Sequence, residues 1–218
     1  MKKNVNFFSF WLLFALLGTA TTVFNSCSKD DSGSNSIGGT STSDPGVVIN
    51  GVKWATRNVD KPGAFAAKPE DAGMFYQWNR KAAWATTSDV TGWDSTISNG
   101  DTWEKANDPS PAGWRVPTND EIQKLLDTDK VKDDWTTQNG INGRKFTDIA
   151  TGKTLFLPAV GYRHNDGTLD FAGWYGEYWS SAASANVKVY YLQFDYNGAT
   201  QYNGQVRNNG ICVRSVAE

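Results

Sequence analysis

The side chains of this 218-residue chain that could do chemistry are aromatic rings and amides rather than acids and bases. Its single histidine, His164, sits in "RHNDGTLD", an Asn-Asp-Gly turn without a nucleophile beside it. The two cysteines, Cys27 and Cys212, have no metal-ligand spacing. Against these stand ten tryptophans and eight tyrosines, and such rings stack on sugars or anchor protein partners. Trp93, Trp103, Trp174 and Tyr175 lie in stretches rich in Gly, Ser and Asp and are expected at the surface. Trp54, Trp78, Trp114 and Trp179 are expected in the core. In "KVYYLQFDYNG", Tyr190, Leu192 and Phe194 share one parity, while Tyr191, Gln193 and Asp195 share the other. Alternation along a strand sends the two sets to opposite faces, the first to the core and the second to solvent. The candidate ligand-binding residues are therefore Trp174, Tyr175, Tyr191, Gln193, Asp195, Tyr202, Asn203 and Asn208. No catalytic residue, metal or cofactor is expected.

The elements that must carry these residues begin with an address. Lys2 and Lys3 precede "FFSFWLLFALL", Phe7 to Leu17, an apolar run of eleven residues. Spanning a bilayer takes roughly 20, and a short run behind a basic start reads as a secretory signal. Cys27 follows where a lipoprotein signal places its acylated cysteine, and residues 1–26 are expected to be removed. "CSKDD" resembles the acidic tag behind the lipidated cysteine of surface-exposed lipoproteins in Bacteroides-type bacteria. Residues 27–46 are mostly Ser, Gly, Thr and Asp, a composition that cannot bury a core and makes a tether. The expectation is an outer-membrane protein held in lipid by acylated Cys27, facing the cell exterior, with a domain at 47–218. Lys and Arg total 21 against 23 Asp and Glu, and no basic stripe forms, which argues against a nucleic-acid partner.

Within the domain, "VVINGVKWATRNV" reads as strand, Asn-Gly turn, strand. Phe75, Trp78 and Ala82 fall at helical spacing, and residues 86–111 form a long loop without periodicity. In "SPAGWRVPTNDEIQKLL", Thr118 and Glu121 make a capping box, followed by the stripe Ile122, Leu125 and Leu126. Pro117 stops that helix from growing backwards. "GWRVPT" is thus a fixed corner, with Arg115 tied to a carboxylate or to backbone. "GRKFTD" and "KTLFLPAVGY" flank Ala150-Thr151-Gly152 as a hairpin, and "GICVRSV" closes the chain as a strand. Two short helices and many short strands predict an α+β domain with a small twisted, mostly antiparallel sheet.

The ordered motifs "GMFYQW", "PSPAGWRVPT", "FLPAVGYR", "YGEYWSS" and "GICVRSV" resemble the Fibrobacter succinogenes major paralogous (FISUMP) domain over residues 47–218. The resemblance implies a C-type-lectin-like fold of the formylglycine-generating-enzyme type. Those related enzymes use paired cysteines, and this domain has only Cys212. The Glu-Pro-Asn and Trp-Asn-Asp elements of calcium-dependent lectins are also missing. The expected function is therefore binding or adhesion at the cell surface, with an extracellular glycan or protein as ligand, and not catalysis. Two alternatives stay open. One is a subunit of a surface fibre; the other is a display protein like the targets of diversity-generating retroelements, suggested by the Tyr and Asn between residues 186 and 209. The family commonly carries cysteines where this chain has Ser110 and Ser215, which implies that those two side chains meet.

Overall fold

The computed structural model describes residues 41–185 and 187–218; the apolar leader and Cys27 lie outside the described residues. Asp44, expected in the tether, is held in the domain instead. Its carboxylate accepts from the Thr56 backbone N–H at 2.9 Å and from Arg57 Nε at 2.9 Å.

Strands β1 (Val47–Ile49) and β2 (Val52–Trp54) form the first hairpin. Its two-residue turn has φ of 44° at Asn50 and 77° at Gly51, the pair of positive values that an Asn-Gly hairpin needs. β3 (Phe75–Tyr76) and β4 (Ala83–Trp84) form a second short hairpin. A long irregular stretch follows, broken by one 3-10 turn at Lys105–Asn107, and it ends in β5 (Trp114–Arg115). Helix α1 (Asn119–Leu125) starts with the expected capping box: Thr118 accepts from the Glu121 N–H, and Glu121 accepts from the Thr118 N–H at 2.7 Å. Glu121 also takes Arg115 in a two-pronged ion pair at 2.7 and 2.9 Å, so corner and helix share one carboxylate. Ile122 and Leu125 on the helix are buried.

The meander β6 (Val131–Gln138), β7 (Ile141–Asp148) and β8 (Thr154–Pro158) makes a three-stranded sheet of its own. β9 (Tyr162–Arg163) and β10 (Leu169–Asp170) pair across the His164 turn. β11 (Gly176–Ala185), β12 (Lys188–Phe194) and β13 (Ala199–Val206) are the long strands of a six-stranded sheet ordered β13-β12-β11-β14-β3-β4, where β14 is Ile211–Cys212. β15 (Val216–Ala217) lies between β2 and β5 in a four-stranded sheet.

Strand takes 41% of the structure and helix 6%, with a single α-helix among several small sheets. The expected α+β, C-type-lectin-like fold with two helices is thus corrected to a mostly β architecture. The error arose at residues 72–84. Phe75, Tyr76, Gln77, Trp78 and Asn79 are all buried, and Asn79 has φ of 55°, which ends any helix. The helical spacing of three apolar residues there was incidental to a strand buried on both sides.

Burial on both sides extends through the centre of the six-stranded sheet, while its edge strand β13 is largely exposed. Phe75, Tyr178, Leu192, Phe194 and Cys212 pack into one apolar layer, which also takes Ile122 and Leu125 of α1. Their neighbours Tyr76, Trp179, Tyr191 and Ile211 pack into a second layer, with Trp78 and Trp103. Gly176 allows the closest approach in the first layer: a Cβ there would lie 2.0 Å from Phe194 Cζ.

The Ser110 and Ser215 hydroxyls meet at 2.7 Å across 105 positions, joining the corner to the residue just before β15. Ser110→Cys with Ser215→Cys should therefore oxidise to a disulfide, measured as loss of free thiol in the non-reduced protein. Closing a loop of about 100 residues stabilises by up to about 4.7 kcal/mol in the chain-entropy treatment. A double variant that stays reduced under oxidant would show that the two backbones do not approach.

Candidate functional site

Two of the large aromatic side chains project almost free of the domain, Trp174 at 73% exposure and Tyr196 at 74%. Both border one cleft of about 580 Å³, whose lining also includes Trp135, Asn142, Tyr175, Asp195 and Asn197.

Trp174 is presented by the loop that leaves β10. Phe171 turns the chain with φ of 55°, a left-handed value that costs a non-glycine residue about 1–3 kcal/mol. Ring packing offsets the strain. Phe171 stacks on Tyr162 at 5.9 Å and on Tyr175 at 4.6 Å, with interplanar angles of 19° and 21°. The Trp174 and Tyr175 N–H groups both donate to the Phe171 carbonyl, at 2.9 and 3.1 Å. Gly161 runs directly beneath: a Cβ there would meet the Asp170 carbonyl at 2.2 Å, so only glycine fits.

Tyr196 is presented by the β12–β13 hairpin. The Asp195 carboxylate accepts from the Asn197 N–H at 2.7 Å and the Gly198 N–H at 3.2 Å, which closes the turn. Nothing packs over the tip, and the Tyr196 ring stands out. Arg144 on β7 fixes the turn from below, donating to the Asp195 carbonyl at 2.7 Å and to Asp133 at 2.6 Å. Asn142 donates to the Gly173 carbonyl at 3.3 Å and joins the β7 wall to the Trp174 loop. Two separate sheets and the loop between β10 and β11 thus contribute to one cleft.

Asp195 is the one carboxylate in the lining, which contains no Lys, Arg or His. Such a cleft offers ring faces for stacking and amide or carboxylate groups for hydrogen bonds. Among the described residues no group of three His, Cys, Asp or Glu could hold a metal ion.

Of the residues expected from the sequence, the structure brings Trp174, Tyr175 and Asp195 together in this cleft. Gln193 lies half-buried on the same strand and accepts from the Tyr191 hydroxyl at 3.3 Å. Tyr202 and Asn203 are exposed on β13, an edge strand. Two of the candidate ligand-binding residues are buried. Tyr191 keeps 9% exposure because it belongs to the second apolar layer, and its ring stacks on Tyr202 at 5.8 Å. Alternation does run through β12, with Val189 and Tyr191 in the second apolar layer and Leu192 and Phe194 in the first, so both of its faces are buried; the shift in its pairing with β13 places the extra residue on β13. Asn208 keeps 4% exposure: its amide donates to the Ser95 carbonyl, and its own carbonyl accepts from Gln77. Trp103, expected at the surface, is buried; Trp93 is partly buried, and Trp114, expected inside, is only half-buried.

Tyr196, Asn197, Trp135 and Asn142 were missed. Asn197-Gly198 is a hairpin-tip signal, and an aromatic just before such a tip has no neighbour to pack on. Asn139-Gly140 likewise marks the β6–β7 hairpin, whose strands carry Trp135 and Asn142.

One buried acid lies on the face of β11 that Tyr191 shares. Glu177 accepts from the Gln205 amide, and Gln205 in turn accepts from Asn209 at 2.7 Å. Burial pushes the Glu177 carboxyl from 4.5 up to about 7, against the opposing effect of the Gln205 hydrogen bond. The folded protein therefore holds a proton there that the unfolded chain has released. The stability this contributes is complete below about pH 4.5 and is lost as pH rises through about 7. Glu177→Gln should melt with the wild type at pH 4.5 and above it at pH 8.5, followed by circular dichroism. Parallel melting profiles over that range would mean that the group does not titrate there.

No protein-family model matches the chain, and no curated protein or solved structure is significantly similar to it.

Proposed function

We propose that this is a lipid-anchored surface protein, related to the FISUMP lipoproteins its motifs resemble, that binds carbohydrate in the Trp174–Tyr196 cleft. The observation that carries the reading is the pair of rings, 73% and 74% exposed, flanking one cleft lined with amides. Leaving two large aromatic faces in water forgoes about 1.5–3 kcal/mol of burial for each, and a sugar ring recovers it. The C–H face of a pyranose covers an aromatic ring while its hydroxyls pair with Asn142, Asp195 and Asn197. Binding, rather than turnover, suits a lining with one carboxylate already committed to its own turn. The supports for the anchor are the apolar leader, Cys27 behind it and the polar tether.

Native affinity electrophoresis of the domain in gels containing xylan, mannan or mixed-linkage glucan tests the binding. At least one polysaccharide should retard the wild type, and Trp174→Ala and Tyr196→Ala should each lose most of the retardation with unchanged melting. If no gel retards the protein, the carbohydrate reading fails. For the anchor, a palmitate analogue fed to cells should label the wild type and leave Cys27→Ser unlabelled. Equal labelling of both would remove Cys27 as the acylation site.

A further inference from the structure

Three clefts surround the Trp174 loop, and they share its residues. The first, described above, meets a second of about 400 Å³ at Asn142 and Gly173. At these shared residues the Asn142 amide reaches the Gly173 carbonyl at 3.3 Å. The second cleft is floored by Ile141, Pro158, Ala159 and Val160, with Thr87 and Glu70 among its polar edges. A third cleft of about 440 Å³ lies across Trp174 and Tyr175 and includes Asp170. Either of the first two is alone large enough for a small-molecule ligand. Two such spaces in contact exceed what a single sugar unit fills.

The charge of the linings narrows the ligand further. Asp195, Glu70, Asp71 and Asp170 are the charged residues of the three clefts; no Lys or Arg lines any of them. Hydrogen bonds from Asn139 above all, and from Gln138, keep the Glu70 carboxyl below its ordinary range, so it is charged at neutral pH. An acidic polymer would meet like charge along the whole path.

From this continuity and this charge we infer that the site takes an uncharged polysaccharide chain along its length. The chain passes from the Trp174–Tyr196 cleft over the Asn142–Gly173 contact into the Ile141 cleft. This rests on the carbohydrate reading above. A short oligosaccharide occupies the first cleft alone, whereas a longer one reaches the second as an intramolecular event at high effective concentration.

Calorimetric titration of the domain with xylo-, cello- and manno-oligosaccharides of one to six units tests this. In the series that binds, affinity should rise at least about tenfold between the disaccharide and the hexasaccharide. Ile141→Arg places a long charged side chain in the second cleft at a position already 43% exposed, so the fold should survive. It should remove the gain with length and leave disaccharide affinity unchanged, and Thr87→Trp should do the same by bulk. Trp174→Ala should weaken every length. Polygalacturonate should not compete. Equal affinity for two and six units, or competition by polygalacturonate, overturns the extended neutral-chain inference while leaving a carbohydrate site in place. Absence of binding in all three series, with no retardation by any polysaccharide, overturns the carbohydrate reading as well.

Discussion

Much of this domain is chain without regular hydrogen bonding, and buried guanidinium groups hold it in place. Arg163, 1% exposed, donates to the carbonyls of Ala85, Thr87, Ser88 and Gly167. Arg207 lies over the Trp78 ring at 4.5 Å and donates to Ser98 and Gly100. Arg214 reaches the Asn58 side chain and the Ala55 carbonyl. A buried carbonyl without a donor costs about 1–3 kcal/mol, and a loop spends several unless something answers them. Guanidinium is suited to the task because it offers five donors in a rigid fork and stays charged under all ordinary conditions. Lysine at these positions would supply a point charge where a planar fork is required. The same device works at the cleft, where Arg144 grips the turn that carries Tyr196.

The arginines let the sheets remain small. With loops pinned by side chains, strands of two residues suffice at β3, β4, β5, β14 and β15. The apolar layers on both faces of the six-stranded sheet then supply the burial that short strands cannot. Aromatic and aliphatic residues share those layers, with Phe75, Tyr178 and Phe194 in the first and Tyr76, Trp78 and Trp179 in the second. Trp174 and Tyr196 are outside because one sits on a left-handed loop and the other on a hairpin tip. Position in the fold, rather than residue type, separates exposed rings from packing rings.

This separation explains what could be read from the residues alone. The Thr118–Glu121 box, the Arg115 tie and the Asn50-Gly51 turn were legible because each is complete within a few positions. The exposure of Trp174 was legible from its Gly-rich surroundings. Alternation placed Leu192 and Phe194 correctly, since both point into one layer. It failed at Tyr191 because alternation assumes one wet face, and this sheet has none at its centre. Asn208 was taken for a surface amide, but it serves a carbonyl of the long loop, a partner 113 positions away that no local pattern reveals. The fold class was misjudged for a related reason: residues 75–79 are buried on all sides, so the helical spacing of Phe75 and Trp78 there reported no helix. Tyr196 and Asn142 became site residues only when hairpins from different sheets met.

The last strands have a consequence for how the molecule comes into being. β14 lies inside the six-stranded sheet, between β11 and β3, and β15 lies inside the four-stranded sheet, between β2 and β5. Residues 211–217 therefore join the first third of the chain to the rest in two places. Until that segment is delivered, β3 has no partner but β4, and β2 none but β1. Pairing at such sequence separation comes slowly and late. A growing chain would keep these early strands short of partners until residues 211–217 emerge. It would then commit to its compact form in one closing step.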